Sequence, residues 1–244
     1  MNGLTWIAAM IGTIADTLRP APPTDIQGSL AEKPIIIPAL PEVVPVLSLT
    51  LEKFTKVTEL VIDGLEGGYY HPDMKKNFNE RSQRMLGDSG ETMFGIDRKH
   101  GQQLSKFAEW KTFWDLVDAS KVKYANEWRY NKRGGILEGQ LKKLTAAIMF
   151  KWFSYLSGKY ILISSMDEIA NDERLILHFS YGSWNGEGWF QRYSKALNNA
   201  VQNYEGDKEM IWQEAIKART NSSNAVIRQQ GDNLLAIVKK HNLH

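Results

Sequence analysis

The chain has 244 residues, 43% of them hydrophobic and 24% charged, enough to bury one full-sized core or one domain with a short accessory segment. A net charge of +2, with basic residues scattered along the chain, argues against strong attraction to nucleic acid or to an anionic membrane surface. The absence of cysteine excludes disulfides, thiolate catalysis and any Cys-ligated metal.

The first patterned stretch is 4–18, where Ile7, Met10, Ile11, Ile14 and Leu18 fall at helical spacing and Asp16 interrupts. It reads as an amphipathic anchor helix (residues 1–19) that docks on a partner. Its first positive charge is Arg19, so the basic start of a secretory signal is missing, and no stretch reaches the about 20 apolar residues a transmembrane helix needs. Pro20, Pro22, Pro23, Pro34, Pro38, Pro41 and Pro45 then forbid continuous helix over residues 20–48 and predict an extended strap. Ile35-Ile36-Ile37 and Val43-Val44 are too apolar for a solvated linker, so the strap is expected to lie against the domain or another subunit.

From residue 49 the period becomes helical. Leu51, Phe54, Val57, Leu60, Val61 and Leu65 share one face, Glu66 ends it, and Gly67-Gly68 stop it. Strand signals are confined to 69–96. Further helices are predicted at 104–117, 136–156, 166–179, 189–203, 208–219 and 221–240, the last after a Ser/Asn-rich start suited to a cap. The expected fold class is mainly α (α+β): a helical domain over 49–244 with a small β-hairpin region, preceded by the anchor helix and the proline-rich strap.

Two polar runs carry chemistry: Glu66-Gly67-Gly68-Tyr69 and Asp88-Ser89-Gly90-Glu91-Thr92-Met93-Phe94-Gly95-Ile96. Cleaving a glycosidic bond takes one protonated carboxyl at the leaving oxygen and a second group that stabilises the cation-like sugar or directs water. The acid needs a partly apolar, enclosed setting that raises its pKa, which the end of an amphipathic helix facing a cleft supplies. Glu66 fits that role, while Asp88 and the Thr92 hydroxyl, on the hairpin arm, fit the handling of water.

Gly87-Asp88-Ser89-Gly90 also matches the surroundings of a serine-protease nucleophile. Only His71 precedes Ser89, however, and the chain is mostly helical, so that reading is set aside. The five histidines, His71, His100, His178, His241 and His244, show no zinc spacing, and no metal or organic cofactor is called for. His178 is read as a core or cleft-edge residue, and Lys132-Arg133 with Lys142-Lys143 as a solvated face.

The two runs resemble glycoside hydrolase family 108, phage and bacterial N-acetylmuramidases with a lysozyme-like fold. In that family a Glu-Gly-Gly-Tyr run is followed by Asp-Pro-Gly-Gly-x-Thr leading to an aromatic-Gly-Ile step. The stretch from Leu177 to Gly186 looks like the family's Phe-Asp-x-x-x-Asn-x-Gly segment, and residues 191–200 resemble the helix after it. The resemblance implies a lysozyme-like domain in which Glu66 is the catalytic acid and Asp88 and Thr92 assist. Its implied substrate is the glycan strand of peptidoglycan, cut at the β-1,4 bond between N-acetylmuramic acid and N-acetylglucosamine.

This chain departs from the family at 75–86, which looks like an insertion, and at Asp88-Ser89-Gly90-Glu91, where the family has Asp-Pro-Gly-Gly. Asp73, Asp88 and Glu91 therefore all stand as candidates for the second carboxylate. Tyr69, Trp184, Asn185 and Trp189 are expected substrate contacts: the Trp rings would stack on sugar faces or plug the core, and Asn185 would bond an N-acetyl group. Trp128, Tyr130 and Asn131 are read as structural. The anchor helix and strap suggest an enzyme held in a phage tail or baseplate through virion structural proteins, acting on the bacterial wall. The alternative is a lysozyme-like virion protein that binds glycan or builds structure without turnover.

Overall fold

The computed structural model describes residues 49–66, 69–70, 91–124, 127–130 and 136–244. The expected anchor helix and strap, Asp73, Asp88 and residues 75–86 lie outside the described residues. What is described is mainly helical with a small β component. The helices are α1 (Leu51–Val61), α2 (Ala108–Ser120), α3 (Ile136–Tyr160), α4 (Ile163–Asn171), α5 (Glu173–Trp184), α6 (Glu187–Asn203), α7 (Lys208–Thr220) and α8 (Ala225–His241). Two-residue strands β1 (Tyr69–Tyr70), β2 (Thr92–Met93) and β3 (Ile96–Asp97) form one antiparallel sheet, and β4 (Lys121–Tyr124) with β5 (Glu127–Tyr130) form a second. No helix among the described residues is long and apolar enough to cross a membrane.

The centre of the molecule is α5. Every residue from 175 to 184 is buried, and α1, α3, α4, α6, α7 and α8 all pack on it. A helix apolar on only one side would leave a polar face without water here, so α5 is built from Leu, Ile, Phe, Tyr and small residues around its whole circumference. Two of the polar side chains it does carry are bonded: Thr58 Oγ1 and Ser180 Oγ meet at 2.8 Å between α1 and α5, and Ser183 Oγ donates back to Phe179 O at 3.0 Å. Rings fill the rest. Phe54 packs on Phe150 and Phe153 at 5.2 and 5.3 Å, Phe153 on Phe190, and Phe190 on Phe179, linking α1, α3, α6 and α5 through one apolar column.

Local chemistry sets the ends of the helices. Thr50 Oγ1 accepts from Lys53 N to start α1, Asp207 caps α7 through Met210 N, and Asn224 caps α8 through Val226 N and Ile227 N. Asp172 accepts from Arg174 N and Leu175 N, which breaks the helix expected over 166–179 into α4 and α5. A buried Asp that caps the next helix outweighs the continuing apolar pattern. The expectation that strands stop at residue 96 is corrected by β4 and β5. Lys121-Val122-Lys123-Tyr124 alternates polar and apolar residues, and Glu127-Trp128-Arg129-Tyr130 does the same with aromatics. The two pair with Lys121 opposite Tyr130.

Gly231 on α8 lies against α7: a Cβ there would come within 3.0 Å of Thr220 Cγ2, 3.1 Å of Thr220 N and 3.2 Å of Arg219 Cβ. Backbone cannot yield as a flexible side-chain tip can. Gly231→Val should therefore destabilise the fold by about 1–3 kcal/mol, read as a lower urea midpoint with unchanged m-value.

Candidate active site

Glu66 is the last residue of a π-helical turn, Ile62–Glu66, that continues α1. Such wide turns are rare and occur frequently at functional sites. Four successive residues pin this one. Ile62 and Leu65 are buried in the core, Asp63 pairs with Lys142 of α3 at 2.6 Å, and Gly64 lies so close to α8 that a Cβ would meet Ile237 Cδ1 at 3.0 Å. The backbone that bears Glu66 is thereby fixed against α3 and α8.

Three residues beyond Glu66 the chain enters β1, and the register carries it directly to Thr92. Tyr70 lies opposite Thr92, and Thr92 opposite Asp97, so Tyr70, Thr92 and Asp97 form one cross-strand row. Thr92 and Asp97 are each 8% exposed, and Thr92 Oγ1 donates to Asp97 Oδ2 at 3.4 Å. Asp97 Oδ1 accepts from Lys99 N at 2.7 Å, a local turn bond that orients the carboxylate. No sequence motif singles out Asp97; only the pairing register brings it to Thr92.

The turn joining β2 to β3 consists of Phe94 and Gly95, at φ of 49° and 72°. Two positive φ values in a two-residue hairpin loop match the right-handed twist of the strands, and glycine adopts them freely. For Phe94 the conformation costs about 1–3 kcal/mol and must be held by its surroundings. Its ring is buried, and its carbonyl accepts a hydrogen bond from Trp184 Nε1 at 3.1 Å. Trp184 is only 5% exposed. Its ring is a core residue that bolts the end of α5 to the hairpin, with no face free for a sugar, so of its two expected roles the structure shows the core one.

Glu91 is 7% exposed and does not face solvent. Its Oε2 pairs with Arg98 Nη1 at 2.8 Å, its Oε1 with Lys121 Nζ at 3.0 Å, and Tyr69 donates its hydroxyl to Oε1 at 2.5 Å. Asp118 completes the cluster by pairing with Arg98 at 2.8 Å and with Lys121 at 2.7 Å. Two acids and two bases alternate, so a nearly buried carboxylate stays compensated. Burial favours a neutral Asp118 carboxyl, but the bonds from Arg98 and Lys121 outweigh it and hold Asp118 below its ordinary range. Burial, then the bond to Glu91, push the Tyr69 phenol well above its ordinary value. Tyr69 is thus a brace between β1 and Glu91.

Asn185 and Trp189 lie just past Trp184. Asn185 caps the C-terminus of α5, and Gly186, at φ of 82°, turns the chain into α6. Arg219 of α7, wholly buried, donates from Nη1 to Asn185 Oδ1 at 2.8 Å and to Gln230 Oε1 at 2.9 Å. Its Nε donates to His178 Nδ1 at 3.2 Å, and it lies over the Tyr193 ring at 4.1 Å. An Nδ1 that accepts leaves the imidazole neutral. Burial and then the Arg219 charge also hold the His178 pKa well below its ordinary value. Because guanidinium only donates, the amide oxygen of Asn185 must face it, which turns the amide NH2 away as a donor. Trp189 is half-buried, stacked on Tyr193 at 6.1 Å with Arg192 over its ring at 4.7 Å. Nothing in the local sequence distinguishes Arg219 from a solvated arginine in a last helical turn.

Comparison with protein-family models, curated proteins and solved structures gives no match to this chain.

Two outcomes follow from this geometry. Trp184→Phe keeps a ring but leaves the buried Phe94 carbonyl without its donor, and should lower stability by about 1–3 kcal/mol in urea unfolding followed by circular dichroism. A raised Tyr69 pKa means that its stabilising contribution is complete below the unfolded phenol value near 10 and is lost as pH rises above it, because the unfolded chain then releases a proton that the folded chain keeps. Tyr69→Phe should flatten the fall in unfolding free energy between about pH 10 and 11.5; identical slopes for the two proteins would contradict this.

Proposed function

We propose that the chain is a peptidoglycan hydrolase, a muramidase of the lysozyme type resembling glycoside hydrolase family 108, that cuts the β-1,4 bond between N-acetylmuramic acid and N-acetylglucosamine. One observation carries the reading. Glu66 ends a helix in a pinned π turn, and the strand that follows pairs directly with the strand bearing Thr92.

In this reading Glu66 donates a proton to the glycosidic oxygen, and the Thr92 hydroxyl holds the attacking water. Asp88, three residues before the described part of the hairpin, is the carboxylate that the resemblance assigns beside Thr92. The amide NH2 of Asn185, on the side away from Arg219, suits the carbonyl oxygen of an N-acetyl group, and the half-exposed Trp189 suits the apolar face of a sugar. Trp184 bonds Phe94 in the hairpin, so the corner that carries Asn185 adjoins β2 and β3. The proposed setting is a phage tail or baseplate, with residues 1–48 as the attachment to virion structural proteins.

A second reading, a lysozyme-like glycan-binding or structural virion protein without turnover, draws on the fate of Glu91. In this chain the altered Asp-Ser-Gly-Glu run ends in a carboxylate taken up by Arg98, Lys121 and Tyr69, as a purely structural element would be.

Release of reducing ends from purified peptidoglycan separates the two. Glu66→Gln should lower the rate by about 10³-fold or more while near-ultraviolet circular dichroism stays that of the wild type. Wild-type binding without release would establish the second reading, and undiminished release by Glu66→Gln would reject Glu66 as the acid.

A further inference from the structure

Away from the hairpin, three rings converge on one cation. Trp152 and Tyr155 stand one helical turn apart on α3, so they share a face, and their rings lie nearly parallel with centroids 5.3 Å apart. The entry to α2 supplies the third ring. Phe107 is extended there, its N–H donating to Leu104 O and its carbonyl accepting from Trp110 N, each at 3.0 Å. Glu109 of α2 and Lys151 of α3, paired at 2.7 Å, clamp that entry against α3. Trp152 is buried, while Phe107 and Tyr155 are half-buried and packed on the core, so the rings are set by the fold.

The cation is the chain's own. Lys106 is exposed, yet its ammonium lies 4.2 Å from the centre of the Tyr155 ring, 5.3 Å from Trp152 and 5.4 Å from Phe107. Among the described residues it has no ion pair or hydrogen bond, and ring faces take their place. Glu187, at the start of α6, adds negative charge within electrostatic reach. Bonds from Lys159 and Tyr160, and more weakly the charge of Lys106, hold its carboxyl below the ordinary range. Ring attraction is weak at an exposed position, and keeping a lysine there costs rotamer freedom, so a rival cation can displace it. An ammonium carrying methyl groups is the better rival. It is less firmly hydrated than the lysine head and turns its methyls to the ring faces.

We infer that Phe107, Trp152 and Tyr155 form a binding box for a trimethylammonium group of the choline type, and that Lys106 is a built-in gate which the ligand displaces. The box stands independently of the role given to Glu66. Its ligand is a small soluble trimethylammonium compound or a lipid headgroup of the same chemistry.

Choline chloride is titrated into the full chain against sodium chloride of matched ionic strength. The Trp152 indole N–H, assigned by its loss in Trp152→Phe, is followed by proton–nitrogen correlation NMR. A shift that saturates in the millimolar range is expected. Lys106→Ala should lower Kd by about tenfold, the factor for a gate that fills the box about nine-tenths of the time. Lys106→Arg, whose planar cation stacks more firmly on rings, should raise it. Both changes fall at an exposed position, so they test the gate even where a ring variant folds poorly. Tyr155→Leu should abolish the shift, and the uncharged analogue with carbon in place of nitrogen should bind at least about tenfold more weakly than choline. Four results would each overturn the assignment: no saturation in either the wild type or Lys106→Ala, equal binding of the uncharged analogue, an unchanged Kd in Lys106→Ala, or a shift that survives Tyr155→Leu. Sedimentation with phosphatidylcholine vesicles separates the two sources. Retention that Tyr155→Leu abolishes assigns the box to a lipid headgroup, and choline binding without retention assigns it to a soluble ligand.

Discussion

The row of backbone partners Tyr70, Thr92 and Asp97 is the constraint on which the site depends. Tyr70 lies four residues beyond Glu66, a span of at most about 14 Å even when fully extended, so antiparallel pairing brings the backbone of Thr92 and Asp97 to the neighbourhood of the helix end. Two-residue strands are too short to hold themselves in water. The helical body therefore holds them: the π turn is pinned by Asp63, Gly64 and two core residues on one side, and Trp184 grips the strained Phe94 turn on the other. The helix that presents Trp184 is buried on every face from residue 175 to 184, so the hairpin is bonded to the centre of the molecule.

Charge is arranged around the same hairpin. Glu91, Arg98, Lys121 and Asp118 neutralise one another at its base, and Tyr69 adds a hydroxyl to the same carboxylate. The opposite row sets a hydroxyl and a backbone N–H against the two oxygens of Asp97. Arg219 organises the C-terminal end of α5. A buried guanidinium that points its donors at His178, Gln230 and Asn185 sets the imidazole tautomer and the sense of the Asn185 amide together.

Much of this architecture is legible locally. Phe54, Val57 and Val61 on the buried face of α1 and the caps of α7 and α8 follow from periodicity and from Asp or Asn at the right offsets, whereas Leu51, expected on the same face, is exposed at the first turn. The limits of α5 are harder to read, because a helix buried all round has no polar face to mark its period, and the Asp172 cap that separates it from α4 looks like an ordinary acidic residue. The second sheet is hidden in sequence because Lys, Arg and Glu dilute its alternating Val, Tyr and Trp. At the site, the Glu66 helix end and the Thr92 strand stand out as motifs. Glu91, Asp97, Trp184 and Arg219 acquire their meaning only from partners that pairing and packing bring to them: Lys121, Thr92, Phe94 and His178.

The most direct test of the central claim is a crystal structure of Glu66→Gln with a bound peptidoglycan tetrasaccharide. A glycosidic oxygen about 3 Å from the amide introduced at position 66, with a water between the anomeric carbon and Thr92 Oγ1, is the predicted result. A glycan bound elsewhere on the molecule, with the Glu66 helix end and the Thr92 row empty, would contradict it.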